Sequence, residues 1–463
     1  MEYKIIADNG TTRLLLIFAG WGMDDAVFRN IVLPGYDVMV VWDYRSFHID
    51  WSCIGKYSEV CLLAWSMGVF AATQTTQAIE YKITRRIAVN GTPTPVDDSA
   101  GIPEAVFYGT LDGLDEPRLA KFRRRMCATR GDFESFSAAM PQRGVDELRD
   151  ELQAIADRLI LSVPSDFRWD LAIIGLNDRI FPPVNQRRAW QQAGVPIKAF
   201  STGHYTDFKA IVTGNFIDKA GMSRRFAEHV DSYTEEAVVQ NQIVDRIFEI
   251  ARREGIVRRL RDERCNILEI GSGAGTLSRL IAREAALASV TLWDLAAPCP
   301  RDLPRRVDFL QCDAELQMPR LRASSIDIIF SASTMQWFNS PDRFLYHCAR
   351  VLKPGGVALL STFTVGNMHQ ISDITGKGLP LMKPEQLIEM ASVYLHPLYT
   401  ENWSRDLDFD SPLEVLRHLR LTGVNSLGGG TINPLKLVRR YPMMLDGRYH
   451  LTYCPMIMIL TKE

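Results

Sequence analysis

Three residues that could together carry out acyl transfer each follow a different apolar segment. Ser66 comes directly after VCLLAW, Asp178 comes shortly after LAIIGL, and His204 comes shortly after IKAF. In such a set Ser66 would attack a carbonyl carbon, His204 would take and return its proton, and Asp178 would hold the imidazole in the required tautomer. The alternative role for Ser66 is to cap the helix that follows it.

The surroundings of Ser66 favour a nucleophile on a sharp strand-to-helix turn. The segment AWSMG departs from the Gly-x-Ser-x-Gly pattern only at Ala64, the next smallest residue, while Gly68 is retained. The chain order Ser, Asp, His is typical of α/β-hydrolases. Backbone amides of Trp21, in the turn FAGWGMDD, and of Met67 are the candidate donors to an oxyanion. Asp24 and Asp25 are interpreted as turn or capping residues.

A second group of candidate residues lies in the other half of the chain and has the character of a nucleotide-binding loop. NILEIGSGAGTLSRLI places Glu269, Gly271, Gly273 and Gly275 between a predicted strand and helix. Asp294 ends the next predicted strand, where it could bind two ribose hydroxyls, and Asp313 follows the third, where it could bind an adenine amino group. A glycine pattern alone leaves NAD and nucleotide-sugar domains open.

Each of these two groups of candidate residues can meet only if its strands form a parallel sheet, in which the carboxyl ends of the strands lie at one edge. In the first half, apolar runs at 14–20, 38–43, 60–65, 86–91, 171–176 and 197–200 predict buried strands, and the charged, helix-periodic segment at about 103–165 predicts a helical lid. Strand and helix signals alternate again from CNILEIGSG onward. The sequence therefore predicts an α/β fold with two doubly wound domains, at 1–213 and 214–463.

Composition limits the classes of function. The chain has 463 residues, 23% of them charged, and a formal net charge of −2, which argues against a nucleic-acid partner. The start has no signal-peptide pattern and no apolar run long enough to span a bilayer, so we expect a cytoplasmic protein without a membrane partner. The eight cysteines form no C-x-x-C pair, and we predict no metal site.

A local basic run lies within the predicted lid. It includes Arg123, Arg124 and Arg125, together with Arg118, Lys121 and Arg130. Such a run is either a solvated helix face or a docking surface for an acidic partner.

The order of motifs in the second half is similar to that of class I S-adenosylmethionine-dependent methyltransferases and departs from the NAD pattern. The resemblance implies S-adenosylmethionine as cofactor, with Glu269 near its charged amino-acid part. If the methyl acceptor is a carboxylate, no general base is required, because the acceptor is already ionised at neutral pH.

Two family resemblances cover nearly the whole chain. IFAGWGMDDAVF, WDYRSF, AWSMG and GLNDRIFPPVNQRRAW resemble the BioG type of pimeloyl-acyl-carrier-protein methyl ester esterase. RRFAEHVDSYTEEAVVQ, EIGSGAG and SASTMQWFNSPDRFLYHCARVLKPGGVALLSTF resemble the BioC type of malonyl-acyl-carrier-protein O-methyltransferase. The second resemblance implies that Tyr233 and Gln240 close the active site and that Gln336 and Trp337 line the acceptor pocket.

Together the resemblances imply a bifunctional enzyme of biotin synthesis whose partner is acyl carrier protein, carrying malonyl and pimeloyl methyl ester thioesters. An acidic carrier protein would suit the basic run in the lid. Two alternatives stay open: a serine thioesterase fused to a small-molecule methyltransferase, and a non-catalytic hydrolase-like scaffold that docks the carrier protein for the methyltransferase.

Overall fold

The chain forms two compact units, Met1–Val212 and Thr213–Glu463. The computed structural model describes all residues except 162–165, 263, 286, 305–306, 377 and 423–433, and the side chains of 230–235, 262 and 434 also lie outside the described set. None of the described helices combines the length and apolar character that a membrane crossing requires.

The first unit is built on a sheet that has seven strands among the described residues, in the order β1-β3-β2-β4-β5-β6-β7. All neighbours pair in parallel except β1, which is antiparallel to β3 at the edge. The strands are β1 (Glu2–Ala7), β2 (Arg13–Phe18), β3 (Asp37–Trp42), β4 (Glu59–Trp65), β5 (Ile83–Val89), β6 (Leu171–Gly175) and β7 (Ile197–Phe200).

Helices cover this sheet and fill the segment between β5 and β6. The helices are α1 (Met67–Thr75), α2 (Glu104–Asp112), α3 (Glu116–Met126), α4 (Arg130–Ala138), α5 (Val145–Ile160), α6 (Pro183–Gln192) and α7 (Phe208–Asn215). Helices α2 to α5 interrupt the strand series, and α5 buries Leu148, Leu152 and Ile155. The segment predicted as a lid therefore consists of four helices joined by short loops, and its last residues, 162–165, lie outside the described set.

The second unit has a sheet of seven described strands in the order β10-β9-β8-β11-β12-β16-β13, with β16 antiparallel to both of its neighbours. Its strands are β8 (Asn266–Ile270), β9 (Ser289–Asp294), β10 (Val307–Gln311), β11 (Ile326–Ser331), β12 (Leu352–Phe363), β13 (His396–Asn402) and β16 (Pro455–Thr461). A separate two-stranded sheet consists of β14 (Arg405–Phe409) and β15 (Tyr449–Tyr453).

The helices of the second unit lie before, between and after these strands. They are α8 (Lys219–Glu236), α9 (Val238–Arg253), α10 (Ile256–Asp262), α11 (Thr276–Glu284), α12 (Ala314–Gln317), α13 (Pro341–Val351), α14 (His369–Thr375), α15 (Pro384–Ser392), α16 (Pro412–Leu421) and α17 (Pro434–Arg440). Both units are thus α/β folds with helices packed on a largely parallel sheet, and the second is Rossmann-like.

Strand order explains where each unit can hold a site. In the first unit the order reverses between β2 and β4, and in the second it reverses between β8 and β11. Loops after two such strands run in opposite directions and leave a crevice at the carboxyl edge of the sheet. Ser66 follows β4, and Gly271 follows β8, so the candidate nucleophile and the glycine loop lie at these switch points.

Candidate active sites

The first unit brings Ser66, His204 and Asp178 into one hydrogen-bonded chain. Ser66 Oγ lies 2.9 Å from His204 Nε2, and His204 Nδ1 lies 2.9 Å from Asp178 Oδ2. All three side chains are buried. This is the geometry in which an imidazole can take the proton of a hydroxyl during nucleophilic attack while a carboxylate stabilises the resulting imidazolium.

Ser66 sits on a strained turn, and its neighbours must be small. Its φ of 61° and ψ of −129° place a non-glycine residue in a left-handed region. A Cβ on Gly68 would collide with the carbonyl oxygens of Ala19 and Phe18, and one on Gly91 would collide with Ser66 O. Ala64 is fully buried in β4 between Phe18 and Ala88 on the neighbouring strands. The turn therefore forms with alanine at the position of the missing glycine.

Residues that the sequence did not single out hold the acid and the imidazole in place. Asp178 Oδ1 accepts from the amides of Ile180 and Phe181, at 2.8 and 3.0 Å, while Gln186 Nε2 donates to its Oδ2 at 3.1 Å. The ring of Phe181 stacks on His204 with centroids 5.9 Å apart. Because the Asp178 carboxylate accepts three hydrogen bonds besides the one from the histidine, its orientation is fixed.

Asn90 fixes the loop that carries His204. Its Nδ2 donates to the carbonyls of Gly203 and His204, at 2.9 and 2.8 Å, and its Oδ1 accepts from Gly175 N at 2.6 Å. Trp65 Nε1 donates to the same His204 carbonyl at 3.0 Å. Hydrogen bonds thus connect the loop of His204 to the ends of β4, β5 and β6. These residues are far apart in the sequence, so no local motif predicts their contact.

The two candidate oxyanion donors belong to the turn after β2 and to the start of α1. Trp21 lies in that turn, and its side chain is buried, with Nε1 donating to Leu148 O at 2.9 Å and its ring edge-on to Phe122 at 4.9 Å. Met67 is the first residue of α1. Within the described residues neither backbone amide donates a hydrogen bond. Both amides therefore stay free for a ligand oxygen.

The three basic residues of α3 differ in their surroundings. Arg123 is half-buried, with its guanidinium 3.4 Å from Pro141 O, and desolvation lowers its pKa. Arg124 and Arg125 are both exposed. Arg125 donates to Arg179 O at 2.7 Å, while Arg124 donates to Thr129 O at 3.5 Å and lies over the Phe133 ring at 5.1 Å. The charges of Arg124 and Arg125 are therefore more available to a partner than that of Arg123.

The glycine loop of the second unit depends on backbone that only glycine adopts easily. Gly271, Gly273 and Gly275 have φ values of 78°, 51° and 83°. A Cβ on Gly271 would collide with the Thr334 side chain, and one on Gly275 would collide with Pro300. The loop therefore lets a ligand approach the backbone at the start of α11.

This loop borders a cavity of about 1120 Å³, including the open space at its mouth. Asp294 lines it and accepts from the amides of Gly273, Ala296 and Ala297, at 2.8, 2.7 and 2.6 Å. Glu269 also lines it and is 1% exposed, and its Oε2 has no hydrogen-bond partner among the described residues. A buried carboxylate oxygen is costly to leave without a hydrogen-bond partner. Its position beside the glycine loop therefore suits a ligand that carries positive charge, such as S-adenosylmethionine.

Asp313 lines the same cavity, but its carboxylate already has two protein donors. Lys219 Nζ lies 2.7 Å from Asp313 Oδ2 and 2.6 Å from Glu315 Oε2, and Asp313 Oδ1 accepts from Glu315 N at 3.0 Å. The Lys219 side chain is 2% exposed. Lys219 was missed from the sequence, because it precedes Asp313 by 94 residues.

The four residues suggested by family resemblance for closure and the acceptor pocket have different positions. Gln240 and Trp337 line the cavity, and the Trp337 ring meets Phe226 edge-on at 5.8 Å. Gln336 is buried but absent from the cavity lining: its Nε2 donates to Ser333 O, and its Oε1 accepts from Thr362 Oγ1 at 3.4 Å. Tyr233 lies in α8, and its side chain is outside the described residues.

The fold and sites define the class of the chain: a hydrolase-like unit with a Ser–His–Asp arrangement, followed by a Rossmann-like unit with a glycine-loop cavity. Residues 1–212 match the family "Pimeloyl-ACP methyl esterase BioG", and residues 268–360 match the family "Methyltransferase domain". The chain is thus an enzyme of the ester hydrolase and S-adenosylmethionine-dependent methyltransferase classes.

Comparison with individual known proteins shows the family to which the chain belongs. A "Malonyl-[acyl-carrier protein] O-methyltransferase" of Bacteroides fragilis (strain 638R) is 37% identical over 462 residues, which cover 97% of this chain and 93% of the relative. A protein of the same name from Chlorobium phaeovibrioides (strain DSM 265 / 1930) is 33% identical over 259 residues, which cover 53% of this chain and 97% of that one. The crystal structure of BioG from Haemophilus influenzae is 36% identical and covers 44% of this chain and 94% of its own, with a TM-score of 0.41. The chain belongs to the malonyl-[acyl-carrier protein] O-methyltransferase family, and its first part is a BioG domain.

Proposed function

We propose that this chain methylates the free carboxylate of malonyl-acyl-carrier protein and hydrolyses the methyl ester of pimeloyl-acyl-carrier protein, two steps of biotin synthesis. The observation that carries the proposal is that a Ser66–His204–Asp178 chain and a glycine-loop cavity lined by the buried Glu269 occur in one polypeptide. The names of the matching families and of the full-length relative supply the substrate classes.

In the hydrolase unit, Ser66 Oγ attacks the ester carbonyl carbon while His204 Nε2 takes the hydroxyl proton. The backbone amides of Trp21 and Met67 stabilise the oxyanion, and Asp178 stabilises the imidazolium. His204 then gives the proton to the leaving methoxide, and methanol departs. Water attacks the acyl-enzyme in the same way and releases the free carboxylate, with the carrier thioester untouched.

In the methyltransferase unit, S-adenosylmethionine supplies, when bound, a methyl group on a sulfonium. Glu269 would balance the positive charge of the cofactor's amino-acid part, and Asp294 would hold the ribose hydroxyls. Asp313, held by Lys219, would face the adenine. Gln240 and Trp337 would exclude water and orient the acceptor, which needs no base because a malonyl carboxylate is already ionised.

The two reactions form a sensible pair. A charged chain end is costly to bury, so methylation would let the fatty-acid machinery elongate the malonyl group as if it ended in hydrocarbon. Hydrolysis at the pimeloyl length would restore the charge and stop elongation. Both substrates would be carried by an acidic carrier protein, for which the exposed Arg124 and its neighbours on α3 are the docking surface we propose.

Separate inactivation of the two units tests the proposal. Ser66→Ala should lower methanol release from pimeloyl-carrier methyl ester by at least about 10³-fold and leave methyl transfer unchanged, because it removes only the nucleophile. Asp294→Ala should do the reverse. The readouts are methanol for one activity and S-adenosylhomocysteine for the other. Esterase activity that survives Ser66→Ala would rule out the assigned nucleophile, and its absence from the parent would favour a non-catalytic first unit.

A further inference from the structure

The turn that carries Trp21 is held by the helical insertion and not only by its own strand. Four consecutive residues of this turn each bond to α5 or to the two residues that precede Gly144. Trp21 Nε1 donates to Leu148 O, Gly22 N donates to Glu151 Oε2, Arg143 donates to Met23 O, and Gln142 N donates to Asp24 Oδ2, at 2.9, 3.2, 3.3 and 3.1 Å.

Glu151 is the centre of this connection. Its side chain is 0% exposed, and its two oxygens serve different partners. Oε1 accepts from Tyr44 N at 2.9 Å, while Oε2 accepts from Gly22 N at 3.2 Å and from Arg143 at 2.8 Å. A buried carboxylate is costly unless its charge is compensated. Arg143 and two backbone donors offset part of that cost here, although burial still raises the pKa of Glu151.

The hydrogen bond from Gly22 N to Glu151 helps to fix the orientation of the Trp21 amide. Gly22 has a φ of 75°, and Met23 N closes the turn by donating to Gly20 O at 3.2 Å. Gly20 O and Trp21 N belong to the same planar peptide, so fixing the carbonyl also fixes the direction of the Trp21 N–H. With Glu151 holding the next peptide at Gly22 N, both peptides beside Trp21 have set orientations.

We propose that Glu151 is a positioning residue for ester hydrolysis: it ties the helical insertion to the turn after β2 and thereby aims the Trp21 amide at the oxyanion. Oxyanion donors act through preorganisation, so a turn that can rotate loses transition-state binding without losing substrate binding. This inference rests on the proposed esterase function of the first unit.

Glu151→Gln tests the inference, with Glu147→Gln as the matched control one turn earlier on α5. Glutamine keeps the size of Glu151 but has one acceptor oxygen, so it cannot serve both Gly22 N and Tyr44 N. Glu147 also pairs with Arg143, at 2.8 Å, but within the described residues it makes no hydrogen bond to the turn. For pimeloyl-carrier methyl ester we expect kcat to fall about 10²-fold in Glu151→Gln, with KM unchanged and the pH profile of kcat/KM unshifted, whereas Glu147→Gln keeps kcat within about twofold.

Titration of Ser66 with a fluorophosphonate separates the possible outcomes. Full labelling with a low kcat supports the inference. Parental kcat in Glu151→Gln, or an equal loss in both variants, overturns it, as does a fall in the labelled fraction that accounts for the whole loss of activity. If the parent releases no methanol, the proposed esterase function fails instead, and this outcome is distinct from the others.

Discussion

At the scale of single residues, Glu269 is the most informative group in the second unit. Burial raises its pKa to about 8, with a smaller contribution from the nearby Asp294, so in the free enzyme it holds a proton at neutral pH. A sulfonium or ammonium group next to it would favour the ionised form. Cofactor binding should therefore release a proton from Glu269 at pH values below about 8 and above the lowered pKa of the complex.

This linkage predicts a pH dependence with a definite sign. As the pH falls from about 8, more of the free enzyme is protonated at Glu269, and the Kd for S-adenosylmethionine should rise by up to about tenfold per pH unit. Isothermal titration at pH 6 and pH 7.5 measures the change, and buffers of different ionisation enthalpy count the released proton.

Glu269→Gln is the control for that measurement, because glutamine does not titrate and the cofactor's own amino group affects both proteins alike. The variant should bind more weakly and lose the steep pH dependence. Equal slopes in the parent and the variant would show that Glu269 does not face the cofactor's charge.

Residue types and spacing predict some of the residues in each site, but not the residues that hold them in place. The Ser66, Asp178 and His204 set could be predicted because each follows an apolar strand, and the structure brings these residues together. Phe181, Asn90 and Glu151 could not, because their roles come from contacts that only the fold creates. Glu151 meets Gly22 across 129 residues, for example, and no local pattern marks it.

At the scale of secondary structure elements, central strands are easier to predict from the sequence than edge strands, although the run at 197–200 predicts β7, an edge strand that is half-buried to exposed rather than buried. Central parallel strands such as β2 and β4 are buried on both faces and read as continuous apolar runs. Strands β1, β13 and β14 were missed, because β1 is mostly exposed and β13 and β14 alternate between exposed and half-buried positions. The apolar segment YHLTYCPMIMILTK at 449–462 forms two strands, β15 and β16, which belong to different sheets.

The start of α8 offers a test at this scale. Lys219 is the first residue of the helix, and it bonds to Asp313, which precedes α12, and to Glu315, which lies in α12. It therefore connects α8 to the wall of the cavity. Lys219→Met would leave two buried carboxylates close together without their cation. We expect the free energy of unfolding of the second unit to fall by about 3 kcal/mol and the Kd for S-adenosylmethionine to rise, with ester hydrolysis unchanged.

Lys353→Met is the matched control, since Lys353 also pairs with an aspartate, Asp327, at 2.7 Å, but is 38% exposed. An exposed pair of this kind contributes at most about 1 kcal/mol. Denaturant unfolding and cofactor titration of both variants provide the comparison. Similar small effects in the two would contradict a special role for the buried lysine.

At the scale of the whole molecule, the proposal joins two opposed reactions in one chain. One site would add a methyl group to a short acyl chain, and the other would remove it from a longer one. The chain would waste cofactor unless the hydrolase unit discriminates against the malonyl methyl ester. This requirement makes chain-length selectivity a necessary property of the first unit and a direct subject for experiment.

One intact-mass measurement tests the central claim. Purified protein is incubated with S-adenosylmethionine and a mixture of malonyl-carrier protein and pimeloyl-carrier methyl ester. We predict that the malonyl carrier gains the mass of one CH₂, because a methyl group replaces the carboxyl proton, while the pimeloyl carrier loses the same mass, both with intact thioesters. Free carrier thiol in place of the pimeloyl product, or a malonyl carrier that stays unmethylated even in Ser66→Ala, would contradict the account.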